Sequence, residues 1–260
     1  MSGRLTGRVG LITGASTGIG AATARLFVAE GAHVALMARG EDRLAETAAA
    51  LAAPERVFAI AGDVSKRGDV ERVLASTVER FGGLDVLVAN AGIQRVTPFA
   101  AIEDEEWDEL LAINLRGTFL ACRAAARRMI EQGRGGAIVV VASTNGFVAE
   151  PGMAHYNASK GALIMLTRSM AIDLAPYRIR ANAVAPGTIL SEITRPMVAA
   201  GFGFGAIPAG RIGDAAEVAA PIVFLASDEA SYITGEVLVV DGGQSALNGV
   251  TAEEAFGLAR

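Results

Sequence analysis

Cysteine is nearly absent from this 260-residue chain: Cys122 stands alone. An intrachain disulfide framework is therefore excluded, and a reducing compartment suits the chain. Histidine is also scarce, at two residues, and no His/Cys/Asp cluster has metal-ligand spacing, so no metal site is expected. Positive charge is not in excess either. Lys plus Arg number 23 against 28 Asp plus Glu, a net −5, which argues against a nucleic-acid scaffold, since phosphate binding wants a basic face. Mean hydropathy reaches +0.39, yet no uninterrupted apolar run approaches the ~18 residues of a membrane span. Runs such as Ala137–Ala142 and Val237–Val240 have strand length instead. The opening Met-Ser-Gly-Arg-Leu-Thr-Gly-Arg has no apolar stretch of a signal peptide, and a cytoplasmic location is expected.

What is present is an alternation of short apolar runs and longer amphipathic ones. Val9–Thr13, Val34–Ala38, Val57–Ala61, Val86–Ala89, Ala137–Ala142, Arg180–Ala185 and Glu236–Val240 read as strands. Ile19–Glu30, Glu41–Ala52, Arg67–Phe81, Glu105–Glu131, Tyr156–Ala175 and Ala215–Ser227 read as helices. Strands apolar on both faces and separated by helices predict an α/β fold, a doubly wound parallel sheet with helices on both faces, Rossmann-like. With no linker and no charge block, residues 1–260 are expected to form a single domain. Two segments break the rhythm: a long stretch over about 188–213, containing Gly201-Phe-Gly-Phe-Gly205, and a tail over 244–260. A long loop in a compact domain suggests a substrate lid.

Thr13-Gly-Ala-Ser-Thr-Gly-Ile-Gly20 joins the first strand to the first helix. Gly14, Gly18 and Gly20 would let the backbone turn tightly and approach a pyrophosphate at the helix N-terminus, or simply make a tight turn. At the end of the second strand an acid would meet a ribose 2′-hydroxyl and a base a 2′-phosphate. Ala38 stands where the acid would be, followed by Arg39, which favours NADP(H) while leaving NAD(H) possible. Asp63-Val64 and Asn90-Ala91-Gly92 lie at later carboxyl strand ends, the ligand-binding edge of such sheets. Tyr156-x3-Lys160 places two side chains on one helix face. An ammonium there favours phenolate, lowers the tyrosine pKa from near 10, and makes it an acid/base group. Ser143 ends the fifth strand, and Asn114 lies in an apolar helix where a buried amide wants a partner. Between serine and tyrosine, Asn145, Glu150 and His155 are candidate contacts to a polar cyclic substrate such as an aldose or polyol.

Together these residues resemble the short-chain dehydrogenase/reductase family over roughly Leu5 to Gly243. Asn114, Ser143, Tyr156 and Lys160 match its catalytic tetrad in order and spacing, and Ala89 replaces the first Asn of its Asn-Asn-Ala-Gly. The resemblance implies a cofactor turn that includes Ser16, Thr17 and Ile19, an adenine contact at Asp63, and further cofactor contacts at Pro186, Gly187, Ile189 and Ser191. It implies that Lys160 binds the nicotinamide ribose and that Asn114 holds a water linked to Lys160. The activity implied is hydride transfer between NAD(P) and a secondary alcohol or ketone, with a small-molecule substrate and a homotetrameric assembly. Reduction of a 3-oxoacyl thioester or small apolar ketone is the alternative, and a nucleotide-sensing protein without turnover is the alternative of another class.

Overall fold

The computed structural model describes residues 3–190, 194–195 and 207–247. Its centre is a seven-stranded, wholly parallel sheet: β1 (Val9–Thr13), β2 (His33–Ala38), β3 (Val57–Ala61), β4 (Val86–Ala89), β5 (Gly136–Val141), β6 (Ile179–Pro186) and β9 (Val237–Val240), in the order β3-β2-β1-β4-β5-β6-β9. The order reverses between β1 and β4, which opens a crevice at their carboxyl ends. Successive strand residues turn to opposite faces. Leu11, Met37, Leu87 and Ile138 enter one core, packed with Val73, Leu120, Met129 and Leu163. Ile12, Leu36, Val88 and Val139 enter the other, packed with Phe27, Leu44, Val218 and Ile222.

The helices that cover these faces are α1 (Gly18–Ala29), α2 (Glu41–Ala50), α3 (Arg67–Phe81), α4 (Asp104–Leu111), α5 (Thr118–Gln132), α6 (Ala154–Leu174) and α7 (Ala215–Ala226). α3 and α5 end on Gly82 and Gly133, whose positive φ (82° and 67°) suits a glycine stop. The continuous helix expected over Glu105–Glu131 is instead α4 and α5 joined by a π-helical turn over Ala112–Gly117. A short parallel pair, β7 (Ile189–Leu190) with β8 (Gly213–Asp214), brings together the two ends of the 188–213 stretch. Gly201–Gly205 and residues 248–260 of the tail lie outside the described residues. Among the described residues no helix is long and apolar enough to cross a membrane.

Candidate active site

The β1–α1 turn is built by glycines for two different reasons. Gly14 and Gly18 adopt φ of +64° and +52°, a region costly for other residues. Gly20 is helical, but a Cβ there would lie 2.2 Å from the Gly14 carbonyl oxygen. Asn90 braces this turn from the end of β4: its Nδ2 donates to the carbonyls of Thr13 (2.9 Å) and Gly14 (3.1 Å). In return the Thr13 hydroxyl accepts from the backbone N–H groups of Asn90 and Ala91. The N-terminus of α1 has no side-chain cap from Thr17 and no acidic residue in its first turn. Its N–H groups and dipole are thus left to an anion.

Beyond the turn, two cavities meet. One of about 330 Å³ is lined by Ser16, Ala38, Arg39, Arg43, Asp63 and Val64, together with Gly14, Ala91, Gly92 and Ile93. The other, of about 200 Å³, shares those last four and continues along Thr17, Gly18, Ile19, Asn90 and Gln94 to Ser143, Tyr156, Lys160, Pro186, Gly187 and Ile189. Asp63 is held by an Asx turn, its Oδ1 accepting from the Ser65 amide (2.9 Å) and hydroxyl (2.8 Å). Arg43, in the first turn of α2, was not singled out by the sequence; a second arginine four residues after Arg39 is the signal that would have found it. Ser191 lies outside the described residues, and Thr194 lines the cleft nearby. The extended cleft, the uncapped helix end and the paired arginines fit a phosphorylated dinucleotide such as NAD(P).

At the cleft's closed end Ser143, buried, accepts from the Asn145 amide (3.2 Å). Lys160 is buried under the cleft and its Nζ donates to the Val141 carbonyl (2.9 Å), 5.5 Å from the centre of the Tyr156 ring. Burial in this setting lowers the Lys160 pKa to about 8. The expected lowering of the Tyr156 pKa by Lys160 is not what the chain itself displays. Desolvation raises the phenol, hydrogen bonding with Ser143 opposes it, and Glu150 adds to the rise. Loss of water around the phenol is the largest of these causes.

Asn114 sits in the π-helical turn, fully buried, and its amide closes a two-way bond with Ile93. Oδ1 accepts from the Ile93 N–H and Nδ2 donates to the Ile93 carbonyl, each at 2.8 Å. The Asn114 side chain is therefore committed to the backbone of Ile93, at the start of the 93–98 loop.

The three candidate substrate contacts need correction. His155 is fully buried, with Nε2 2.7 Å from Glu106 Oε1, and does not line the cleft. Neighbours on a helix point about 100° apart, so Tyr156 facing the cleft sends His155 toward α4. Asn145 is buried and donates to Asn157 Oδ1 (2.8 Å), supporting the turn after Ser143 rather than a ligand. Glu150 is exposed outside the cleft. Among the described residues no group of three or more His, Cys, Asp or Glu is arranged to hold a metal ion.

Similarity to known proteins points the same way as this geometry. A family profile described as enoyl-(acyl carrier protein) reductase matches residues 14–245. Glucose 1-dehydrogenase from Gluconobacter oxydans is 41% identical over 247 residues, covering 92% of each chain. A 3-oxoacyl-acyl-carrier-protein reductase from Thermotoga maritima is 42% identical over 245 residues, 92% of this chain and 98% of its own. Among solved structures, a short-chain type dehydrogenase/reductase from Mycobacterium marinum superposes with a TM-score of 0.90 at 38% identity, covering 94% of this chain and 97% of the other.

Proposed function

The chain belongs to the short-chain dehydrogenase/reductase family of NAD(P)-dependent oxidoreductases acting on hydroxyl and keto groups, and from that premise we propose an NADP(H)-favouring enzyme that interconverts a secondary alcohol and a ketone. The observation that carries the reading is the convergence of Ser143, Tyr156 and Lys160 at the closed end of the glycine-turn cleft. When bound there, the dinucleotide supplies or accepts the hydride. Tyr156, whose raised pKa keeps its phenol protonated at neutral pH, donates a proton to a carbonyl oxygen during reduction. Ser143 holds that oxygen by hydrogen bonding, and Lys160 supplies positive charge beneath the phenol as the phenolate forms. In the oxidative direction the Tyr156 phenolate, with the Lys160 ammonium beneath it, takes the alcohol proton.

Cofactor preference is proposed from Arg39 and Arg43, which flank the cavity at the end of β2. The comparison of kcat/KM with NADPH and NADH tests it, and a clear NADH preference refutes it. For the substrate, the aldose reading loses the side chains that motivated it. It now rests on the activity named for the Gluconobacter relative, while the Thermotoga relative acts on an acyl thioester. Among the described residues Gln94 and Thr194 are polar side chains lining the cleft outside the proposed catalytic group and the cofactor turn, with Ile93, Val141 and Ile189 also lining it, which supports a compact substrate carrying few polar groups. A screen of D-glucose, glycerol, cyclohexanone and a 3-oxoacyl thioester discriminates these classes. The 188–213 stretch is proposed as the lid and the cytoplasm as the location. A homotetramer is proposed from exposed apolar residues on α5 (Phe119), α6 (Met165, Ile172) and the edge strand β9 (Leu238, Val239); a monomer by light scattering refutes it.

A further inference from the structure

Glu106 lies on α4, outside the cleft, yet one of its carboxylate oxygens joins two segments that border the cleft. Oε1 accepts from the Thr97 hydroxyl at 2.7 Å and lies 2.7 Å from His155 Nε2. Thr97 belongs to the loop that carries Gln94 into the cleft, and His155 immediately precedes Tyr156. We propose that Glu106 is a positioning residue that fixes the Gln94 loop and the Tyr156 turn relative to each other.

The chemistry of His155 supports this. A carboxylate accepts, so Nε2 donates toward Glu106, and in the neutral imidazole Nδ1 is then an acceptor, buried without a hydrogen-bond partner among the described residues. An orphaned acceptor is costly, and a phenylalanine would fill an apolar site without that cost. The imidazole therefore makes sense here for its N–H toward Glu106. The turn it holds has no side-chain cap from Met153, at the N-cap of α6, and Tyr156 is the third residue of that helix. On the loop side, the Thr97 amide donates to the Gly152 carbonyl (2.8 Å), next to the same turn. Ile93 at the other end is clamped by Asn114. The loop is thus held at both ends, Gln94 Nε2 reaches Met153 Sδ (3.6 Å) at the N-cap of α6, and Glu106 adds a tie from Thr97 to His155, inside the helix bearing the acid/base group.

The proposal rests on Tyr156 being catalytic, so its test has an arm independent of turnover. Amide hydrogen exchange over residues 92–98 and 150–157 is compared in the parent, Thr97→Val, Glu106→Gln and Glu106→Ala. Steady-state kinetics follow with NADP(H) and the faster of D-glucose and cyclohexanone. Thr97→Val, a near-isosteric change, should speed exchange in 92–98 and raise KM for the probe about fivefold, the size of one lost hydrogen bond, with kcat and NADPH affinity unchanged. Glu106→Ala should loosen both segments, raise KM and lower kcat about tenfold. Glu106→Gln keeps an acceptor oxygen and should recover most of the loss. Exchange unchanged in Thr97→Val and Glu106→Ala overturns the proposal. Looser segments with KM and kcat within twofold of the parent overturn it too, leaving Glu106 a structural contact. A parent that turns over neither probe, with Tyr156→Phe no different, counts against the functional reading, and exchange alone then decides the strut.

Discussion

Replacing Gly20 by alanine adds one methyl group at the most crowded point of the cofactor turn. That methyl would sit 2.2 Å from the Gly14 oxygen, 2.7 Å from Asn90 Nδ2 and 2.9 Å from the Gly14 carbonyl carbon. Two of these atoms are backbone, and the third belongs to the amide that braces the turn, so none is the free end of a flexible side chain. Retreat is also limited because Gly14 is packed closely on Ala91. Overpacking of this kind costs about 1–3 kcal/mol. Displacing the Asn90 amide from the Gly14 carbonyl leaves polar groups unpaired, a further ~1–3 kcal/mol. Alanine's better helix propensity returns at most about 1 kcal/mol. The net penalty is roughly 1–5 kcal/mol.

Where this penalty appears depends on how the turn yields. If it stays in place, the melting temperature falls, by about 2–4 °C per kcal/mol for a chain of this size. If the turn is pushed out of shape, the loss appears in cofactor affinity, with 2 kcal/mol equal to about thirtyfold. Thermal melts and NADPH titration by fluorescence read the two separately. Gly68→Ala is the matched control. Gly68 lies in the first turn of α3, and a Cβ there meets nothing within 4 Å, so the same substitution should be neutral or stabilising by up to ~1 kcal/mol. A Gly20→Ala protein that binds NADPH within threefold of the parent and melts within 2 °C of it, scales set by the same conversions, would refute the steric argument.

Tyr156→Phe removes the transferable proton and keeps the ring, so kcat should fall by about 10²–10⁴-fold with cofactor affinity retained; near-normal turnover in a stopped assay of NADPH absorbance would contradict the role. Arg39→Ala should narrow the NADPH-to-NADH ratio of kcat/KM by about tenfold, and an unchanged ratio would move the phosphate contact elsewhere. Lys160 has a folded pKa near 8, below its unfolded value, so the unfolded chain binds the extra proton and stability should rise as pH climbs from 8 toward 10. The difference between parent and Lys160→Met, measured by urea unfolding without cofactor, isolates this rise at about 2 kcal/mol. Cys122, whose raised pKa acts in the opposite sense, cancels in that difference, and parallel curves for the two proteins would refute the buried charge.

The sheet was legible because its strands are apolar on both faces. Val-Gly-Leu-Ile-Thr and Ala-Ile-Val-Val-Val leave little room for any other reading, and each expected strand lies within two residues of its place. Helix periodicity was equally clear, but periodicity cannot report a change of hydrogen-bond spacing. Ala112–Gly117 has the composition of an ordinary helix. What distinguishes it is the pairing of Asn114 with Ile93, 21 residues earlier, and a contact of that range leaves no mark on local propensity. The pairing of Tyr156 with Lys160 was visible through their i, i+4 spacing, since helix geometry alone puts the two side chains together.

The direction of the tyrosine shift was not visible, and the reason is general to charged pairs read from spacing. Proximity gives the sign of the coulombic effect, which favours phenolate, but burial acts on each member separately and penalises both charged forms. Here the backbone carbonyl of Val141 takes the Lys160 ammonium from below, and desolvation draws the lysine down to about 8. An ammonium whose own pKa lies that near neutrality is a group whose charge depends on what else enters the cleft. The same blindness misplaced His155. Its neighbour Tyr156 suggested a substrate contact, while the helix turned its imidazole by about 100° onto Glu106, 49 residues away in sequence. Adjacent residues in a helix share a backbone and not a face, so a residue beside the proposed acid/base tyrosine is better placed to hold it than to join it.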